Sequence, residues 1–453
     1  MKRFAYRLVL LAVAIAMVSI AGLPFGAPVE AQTKSRDTKS SSAPKPRGAG
    51  DGQERLLYEK DWSKDTAELK HFQEIRKGVS VANKSEILDH AAQWYAYRLT
   101  HTEHQDPKPS FKGMHDLVRE ALEQIIDLRT PRKPPSAAER AYMEEFGKRF
   151  TACLREVAKN PKVIARVNAA VILAQLAKAG QDSAVDVLVE ILQDPKETDG
   201  VKLFALRGLR DVFTAGGDES PFADKEREAR VIAALLNYLD RKPALAKDAP
   251  PEELAAVSYV REEAVAALGQ SRYPAASKVV AKVTHIERPT AWALLRVLRK
   301  DGIQPEPGLA EQVAAAAGVC RLRSKELDPY NPDYVAYHVG RFIVDFVSLY
   351  NSKGQQEKEK KEPWKLYANR LLTGLEIMKI DLATPPASEH TAYVTKMAEQ
   401  ASRLLSQIKD SNMARPEPND FSTWLDQNPP KNKTVYKGMP NAVINEGEKA
   451  AGG

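Results

Sequence analysis

The sequence predicts an all-α protein, and three observations carry that prediction. From residue 56 to about 410 nearly every segment places apolar residues at helical spacing, and sustained apolar–polar alternation is scarce. The separators hold turn chemistry, as in KNPK, QDPKETDG, TAGGDESP, DAPPEE, QPEPG, YNPD and TPPAS. One helix face recurs along the chain.

Single helices are legible first. Ile87, Leu88, Ala91, Trp94 and Leu99 fall on one stripe of a helix that Ser85 is placed to cap. Leu117, Leu122, Ile125 and Ile126 form a second stripe. Tyr334, Val335, Val339, Phe342, Phe346 and Tyr350 form a third. The mixed run SKGQQEKEKKEPW, Ser352 to Trp364, alternates opposite charges and is expected to be solvated surface. A short helix is expected near Phe421 to Leu425, followed by an extended tail.

The recurring face is clearest in VREEAVAALG, Val260 to Gly269. Val260, Ala264 and Leu268 are spaced i, i+4, i+8 and share one side of a helix. The alanine lets a neighbouring helix come close. Arg261 sits at the edge, where its stem covers apolar surface and its head reaches solvent or an acidic turn. VKLFALRGLR (Val201 to Arg210) and ARVNAAVILA (Ala165 to Ala174) repeat the pattern, and PTAWALLRVL (Pro289 to Leu298) is a weaker fourth copy. Apolar helices precede the three strong copies: FTACLREVA, AVDVLVEIL and VIAALLNYL. Two of them end at Asn160-Pro161 and Asp194-Pro195. Helix, Asx-Pro turn and second helix make an αα-hairpin. Glu262 and Glu263 are left pointing to solvent.

This unit resembles a HEAT-type repeat, and the resemblance implies an irregular α-solenoid of stacked helical hairpins with flanking helices. It also implies hydrogen bonds between a turn residue and a basic residue of the second helix. Asn160 with Arg166 fits that spacing, Asp194 with Lys202 is stretched by ETDG, and Arg261 has no acidic residue at the expected distance. The copies stand 36 and then 59 residues apart, and the excess falls in DRKPALAKDAPPEELAA, Asp240 to Ala256, expected as a loop or an extra helix.

The N-terminus reads as an export signal. Lys2, Arg3 and Arg7 precede an apolar run from Leu8 to Leu23, and Val29-Glu30-Ala31 follows with small residues at the cleavage positions. The run is shorter than the roughly 20 residues a spanning helix needs. Gln32 to Arg55 has no aromatic residue and no periodicity, and reads as a flexible linker. Its GAGDG has no strand before it, which excludes a phosphate loop. The expected organisation is therefore a signal peptide at 1–31, a disordered linker at 32–55, an N-terminal helical region at 56–139, HEAT-like repeats at 140–300, a C-terminal helical region at 301–415 and an extended tail at 416–453.

Composition narrows the function. Of the net charge of +7, residues 1–31 hold +2 and residues 32–55 hold +3, so the body is nearly neutral and no nucleic-acid partner is expected. Cys153 and Cys320 are the only cysteines, each inside an apolar pattern, and two cysteines make no disulfide framework. His101-Thr-Glu-His104, with His115 beyond it, is the best metal candidate, but Gln105 to Pro109 breaks the helix and no further ligand completes a set. No metal ligand, cofactor-binding residue or catalytic residue is therefore assigned. His338 lies among aromatics as a half-buried histidine. Asn83-Lys-Ser85 and Asn432-Lys-Thr434 match a glycosylation pattern that is frequent by chance. No catalytic motif is present.

The expected function is an exported scaffold, periplasmic or extracellular, that binds protein or peptide partners without chemistry. Contact with a membrane is expected only through an uncleaved N-terminus, which would make it an envelope-organising protein. The alternative is an envelope enzyme of lyase or hydrolase type, recognisable by a deep pocket that gathers His101, His104, His115 and carboxylates.

Overall fold

The computed structural model describes residues 55–64, 66–78, 84–106, 112–129, 134–217, 220–243, 245, 248–273, 290–323, 330–354, 363–383, 390–410 and 415–436. The expected signal peptide, nearly all of the expected linker and the end of the tail lie outside the described residues, as does Asn83. The described residues are all-α and hold no strand; one isolated antiparallel bridge joins Tyr330 and Tyr436. No described helix is long and apolar enough to cross a membrane.

The helices are α1 (Thr66–Arg76), α2 (Ser85–Tyr97), the one-turn α3 (Thr102–Gln105), α4 (Met114–Leu122) and α5 (Ala137–Val157). Then come α6 (Val163–Lys178), α7 (Asp182–Gln193), α8 (Asp199–Gly216), α9 (Lys225–Asp240) and α10 (Pro251–Gln270). The last are α11 (Thr290–Arg299), α12 (Leu309–Val319), α13 (Pro332–Leu349), α14 (Trp364–Ala383), α15 (Thr391–Asp410) and α16 (Asn419–Gln427).

Their contacts follow a simple order. α5 packs on α6, α7 on α8, α9 on α10 and α11 on α12, as consecutive pairs. Each helix also packs on the helix two places along. One row runs α5, α7, α9, α11, α13, and the other runs α4, α6, α8, α10, α12, α14. α15 closes the far end against both α13 and α14. The apolar stripes supply the seams: Phe146, Phe150 and Leu154 on α5, Leu173 and Leu176 on α6, Leu188 on α7, Leu209 on α8, Leu235 on α9 and Leu268 on α10 are all buried.

Small residues decide how closely the second row packs. A Cβ on Gly208 of α8 would lie 2.7 Å from the Ala174 Cβ of α6. A Cβ on Gly269 of α10 would lie 2.4 Å from the Gly318 Cα of α12, and one on Gly374 of α14 would lie 3.2 Å from the Ala317 Cα. Helix backbones thus touch along this row.

The turns follow the sequence closely. The Asn160 side chain accepts from the Lys162 amide (3.0 Å), and Asp194 accepts from the Lys196 amide (2.8 Å). Each Asx residue closes its own Pro turn. Ser136 and Glu139 form a reciprocal capping box at the start of α5. Ser85 does not cap α2: the capping position is Lys84, which makes no side-chain bond there.

Three sequence expectations change. The described part of PTAWALLRVL, Thr290 to Leu298, lies on α11, in the first row, whereas the three strong copies lie on α6, α8 and α10 in the second. The second-row helix after α10 is α12, whose LAEQVAAAAGV is too rich in alanine to share the pattern. The excess between Asp240 and Ala256 forms no extra helix among the described residues; its EELAA is the first turns of α10. Trp364, at the end of the mixed-charge run, is buried against Phe346 and Tyr350.

The short helix expected near Phe421 is α16. After it the chain turns back onto the body. The buried Asn331 side chain donates to the carbonyls of Asn432 (2.9 Å) and Thr434 (2.8 Å), and Val435 and Tyr436 are buried. Asn432 thus closes the chain end, with its own side chain accepting from the Thr434 amide.

Candidate functional site

Among the described residues, two of the places that gather polar side chains bear on the sequence expectations, and the first lies on the second row of helices. Arg207 of α8 donates to Glu263 of α10 through Nε (3.0 Å), and Arg210 donates to the other oxygen of the same carboxylate. Arg207 also reaches the Tyr259 hydroxyl. Glu262, beside Glu263, accepts from Arg370 of α14 at 3.3 Å. α12 lies between α10 and α14 in this row, and its alanines and Gly318 let the two long side chains meet over it.

The glutamates therefore do not point to bulk solvent, as their place in VREEAVAALG suggested. The Glu263 side chain is 12% exposed and that of Glu262 23%. Burial pushes the Glu262 carboxyl above its ordinary range, with Arg370 pulling the other way. The physical reason for Glu262 is the small side chains of α12, over which Arg370 reaches it, whereas Glu263 is covered by Arg207 and Arg210 of α8.

Arg261 finds the acidic partner that sequence spacing did not offer. It donates to both oxygens of Glu311 at the start of α12 and to the Pro305 carbonyl (2.8 Å). The two side chains are 6% and 2% exposed. The remaining capacity of Glu311 is taken by the Gly308 amide at 2.8 Å. Arg261 is thus a contact between neighbouring hairpins, with no head in water.

The other basic positions behave differently from one another. Arg166 donates to the Asn160 backbone carbonyl (2.7 Å) rather than to its side chain, and clamps Glu197 of the next turn with two bonds of 2.9 and 3.1 Å. Glu197 is the first residue of the ETDG insertion that stretched the sequence spacing. Arg241 pairs with Asp199 at 2.7 Å. Lys202 is buried, and desolvation, with Arg241 adding to it, lowers its ammonium pKa. Pairs between neighbouring hairpins are made by Arg166 and Arg261, and their acids come from the insertion and from a helix start.

The second place is the corner around the one-turn α3. His101 is 1% exposed. Ligand-type atoms of His101, Glu103 and His104 all lie within 4.8 Å of one another. The carboxylate that completes this group lies between the two histidines in sequence. Because α3 is a single turn, Glu103 folds back beside His101, with Nδ1 and Oε1 3.5 Å apart. His115, on α4, has its side chain 63% exposed and does not join the group. A pocket gathering all three histidines is not formed.

Elsewhere, His338 packs edge-on against Tyr334 at 4.4 Å, and burial lowers its imidazole to about 4, with Arg299 and Arg341 adding to the effect. Cys153 and Cys320 are both free thiols, and burial raises them to about 11 and about 12. They are inert packing residues. A cleft lined by Phe213, Ser220, Glu228, Ser271 and Arg272 has room for about one water molecule and fits no substrate. No protein-family model, no curated protein and no solved structure matches this chain.

Proposed function

We propose that the chain is an exported HEAT-type α-solenoid that works as a scaffold for protein or peptide partners. The observation that carries this reading is the double row: each helix packs on a neighbour and on the helix two along, from α5 to α14. Hairpins stacked in that order bury a continuous core and expose two long faces. Glycine and alanine contacts shorten the second row, so that row is the inner, concave one. Its middle presents Arg207, Arg210, Tyr259, Glu262, Glu263 and Arg370, with both charge signs held in place by mutual bonds. Such a surface recognises a polar peptide or protein patch by complementarity and performs no covalent step.

The test is site-specific photo-crosslinking of the full chain in its native cell. A crosslinker at Arg370 or Thr214, on the inner row, should give discrete protein adducts. One at Lys148, exposed on α5 of the outer row, should give few. Equal labelling from both rows, or none from the inner one, would sink the reading. Export is tested separately: the mature protein should begin at Gln32.

A further inference from the structure

His101 presents an unexplained arrangement. Its Nε2 lies 3.0 Å from the Leu56 carbonyl, to which it donates in one neutral tautomer. In the other tautomer the same nitrogen accepts from Arg55 Nε at 3.2 Å and the proton sits on Nδ1. With Nε2 protonated, Nδ1 of the neutral ring holds a lone pair. That atom is buried, has no hydrogen-bond partner, and faces the Glu103 carboxylate at 3.5 Å. A buried lone pair facing a carboxylate oxygen is repulsive unless something positive lies between them. A proton on Nδ1, with Nε2 accepting from Arg55, or a cation held between the two groups would each relieve it.

The third member is poised in the same way. His104 Nδ1 lies 2.8 Å from the Lys112 carbonyl, which can only accept, so that nitrogen carries the proton. Both rings thus have one nitrogen tied to a backbone carbonyl, the outer-shell contact that fixes the tautomer and aim of a metal-binding imidazole. Three atoms within 4.8 Å of one another can all be reached from one point by inward movements of under about 1 Å, given metal–ligand distances of roughly 2.0–2.2 Å.

From this geometry we propose that His101, Glu103 and His104 bind one divalent cation of the late first-row type, zinc foremost, with water completing the shell. Two imidazoles and one carboxylate suit that class and not calcium or magnesium. Arg55 lies 3.6 Å from Glu103 and is the cation that a bound metal would displace. The metal would fasten residues 55–58, where Tyr58 stacks on His101 at 5.4 Å, to the turn that follows α2.

The test is equilibrium dialysis of the full chain against zinc chloride, with metal per chain read by mass spectrometry. Cobalt(II) serves as a spectroscopic substitute. One zinc per chain is expected, with a tetrahedral cobalt spectrum. Glu103→Gln and His104→Ala should each weaken binding about tenfold or more, with melting in EDTA unchanged. Arg55→Gln should tighten binding severalfold, because its guanidinium competes for Glu103. Failure to retain zinc, or retention that none of the three substitutions alters, would overturn the site. His101 is too buried to be the sole test, since its loss also leaves a cavity.

Discussion

At the residue scale, the strongest local commitments are charges placed where water is scarce. Arg261 and Glu311 are both buried, and every strong bond each makes is to the other or to a nearby backbone group. Removing one member strands the other. Glu311→Gln or Arg261→Met should therefore cost roughly 3–5 kcal/mol in denaturant unfolding, while Arg261→Met with Glu311→Leu should recover most of it. If the double variant is no more stable than the single ones, the loss comes from packing rather than charge. His338 gives the complementary case. Its folded pKa of about 4 lies below the ordinary 6.5, so the unfolded chain takes the proton first. The neutral ring contributes stability that is complete above pH 6.5 and falls away as pH drops toward 4, by at most roughly 3 kcal/mol. His338→Gln should flatten that part of a stability–pH curve. An unchanged slope would show that the ring is solvated.

At the scale of elements, the second row is set by where glycine falls on its helices. Glycine inside a helix costs about 1 kcal/mol relative to alanine. Gly269→Ala would thus be stabilising if propensity ruled. The new Cβ would instead lie 2.4 Å from the Gly318 Cα, a backbone atom that cannot swing aside. Overpacking of that kind costs about 1–3 kcal/mol, so net destabilisation is expected. Gly374→Ala meets its neighbour at 3.2 Å and should cost less. Thermal melts that reverse this order would mean that the helices are not packed as described. The same helices show why the face in VREEAVAALG was legible and the role of its glutamates was not. Val260, Ala264 and Leu268 are buried as their spacing requires. The partners of Glu262 and Glu263 stand 108, 56 and 53 positions away, and no local periodicity points to them.

At the scale of the molecule, the two rows join successive hairpins through contacts between neighbours. Ion pairs cross from hairpin to hairpin along them: Arg155 to Glu190, Arg166 to Glu197, Arg207 to Glu263 and Arg261 to Glu311. Each joins a helix to the next hairpin in the stack, so the contacts that hold the body together are mostly between neighbours. The face they leave on the second row is where the scaffold reading places a partner, and crosslinks from that row bear directly on it. The chain end adds a clasp, since Asn331 holds Asn432 and Thr434 against the start of α13. The histidine corner lies near the opposite end of the described chain, beside α2 and α4, and its metal test is independent of the partner question.

The sequence by itself determined that this chain is helical, where its turns fall and which faces of its helices are apolar. Those properties depend on spacings of three or four residues, which any one stretch contains. It also determined the near-neutral body and the lack of any familiar catalytic motif. Tertiary structure alone decided which acid meets which arginine, that PTAWALLRVL belongs to the other row, that the tail turns back at Asn331, and that Glu103 completes a group with His101 and His104. Each of these depends on a contact across an interface, or on a turn that brings near neighbours onto one side. Such contacts are set by the size of whatever lies between, as the alanines of α12 set the meeting of Glu262 and Arg370.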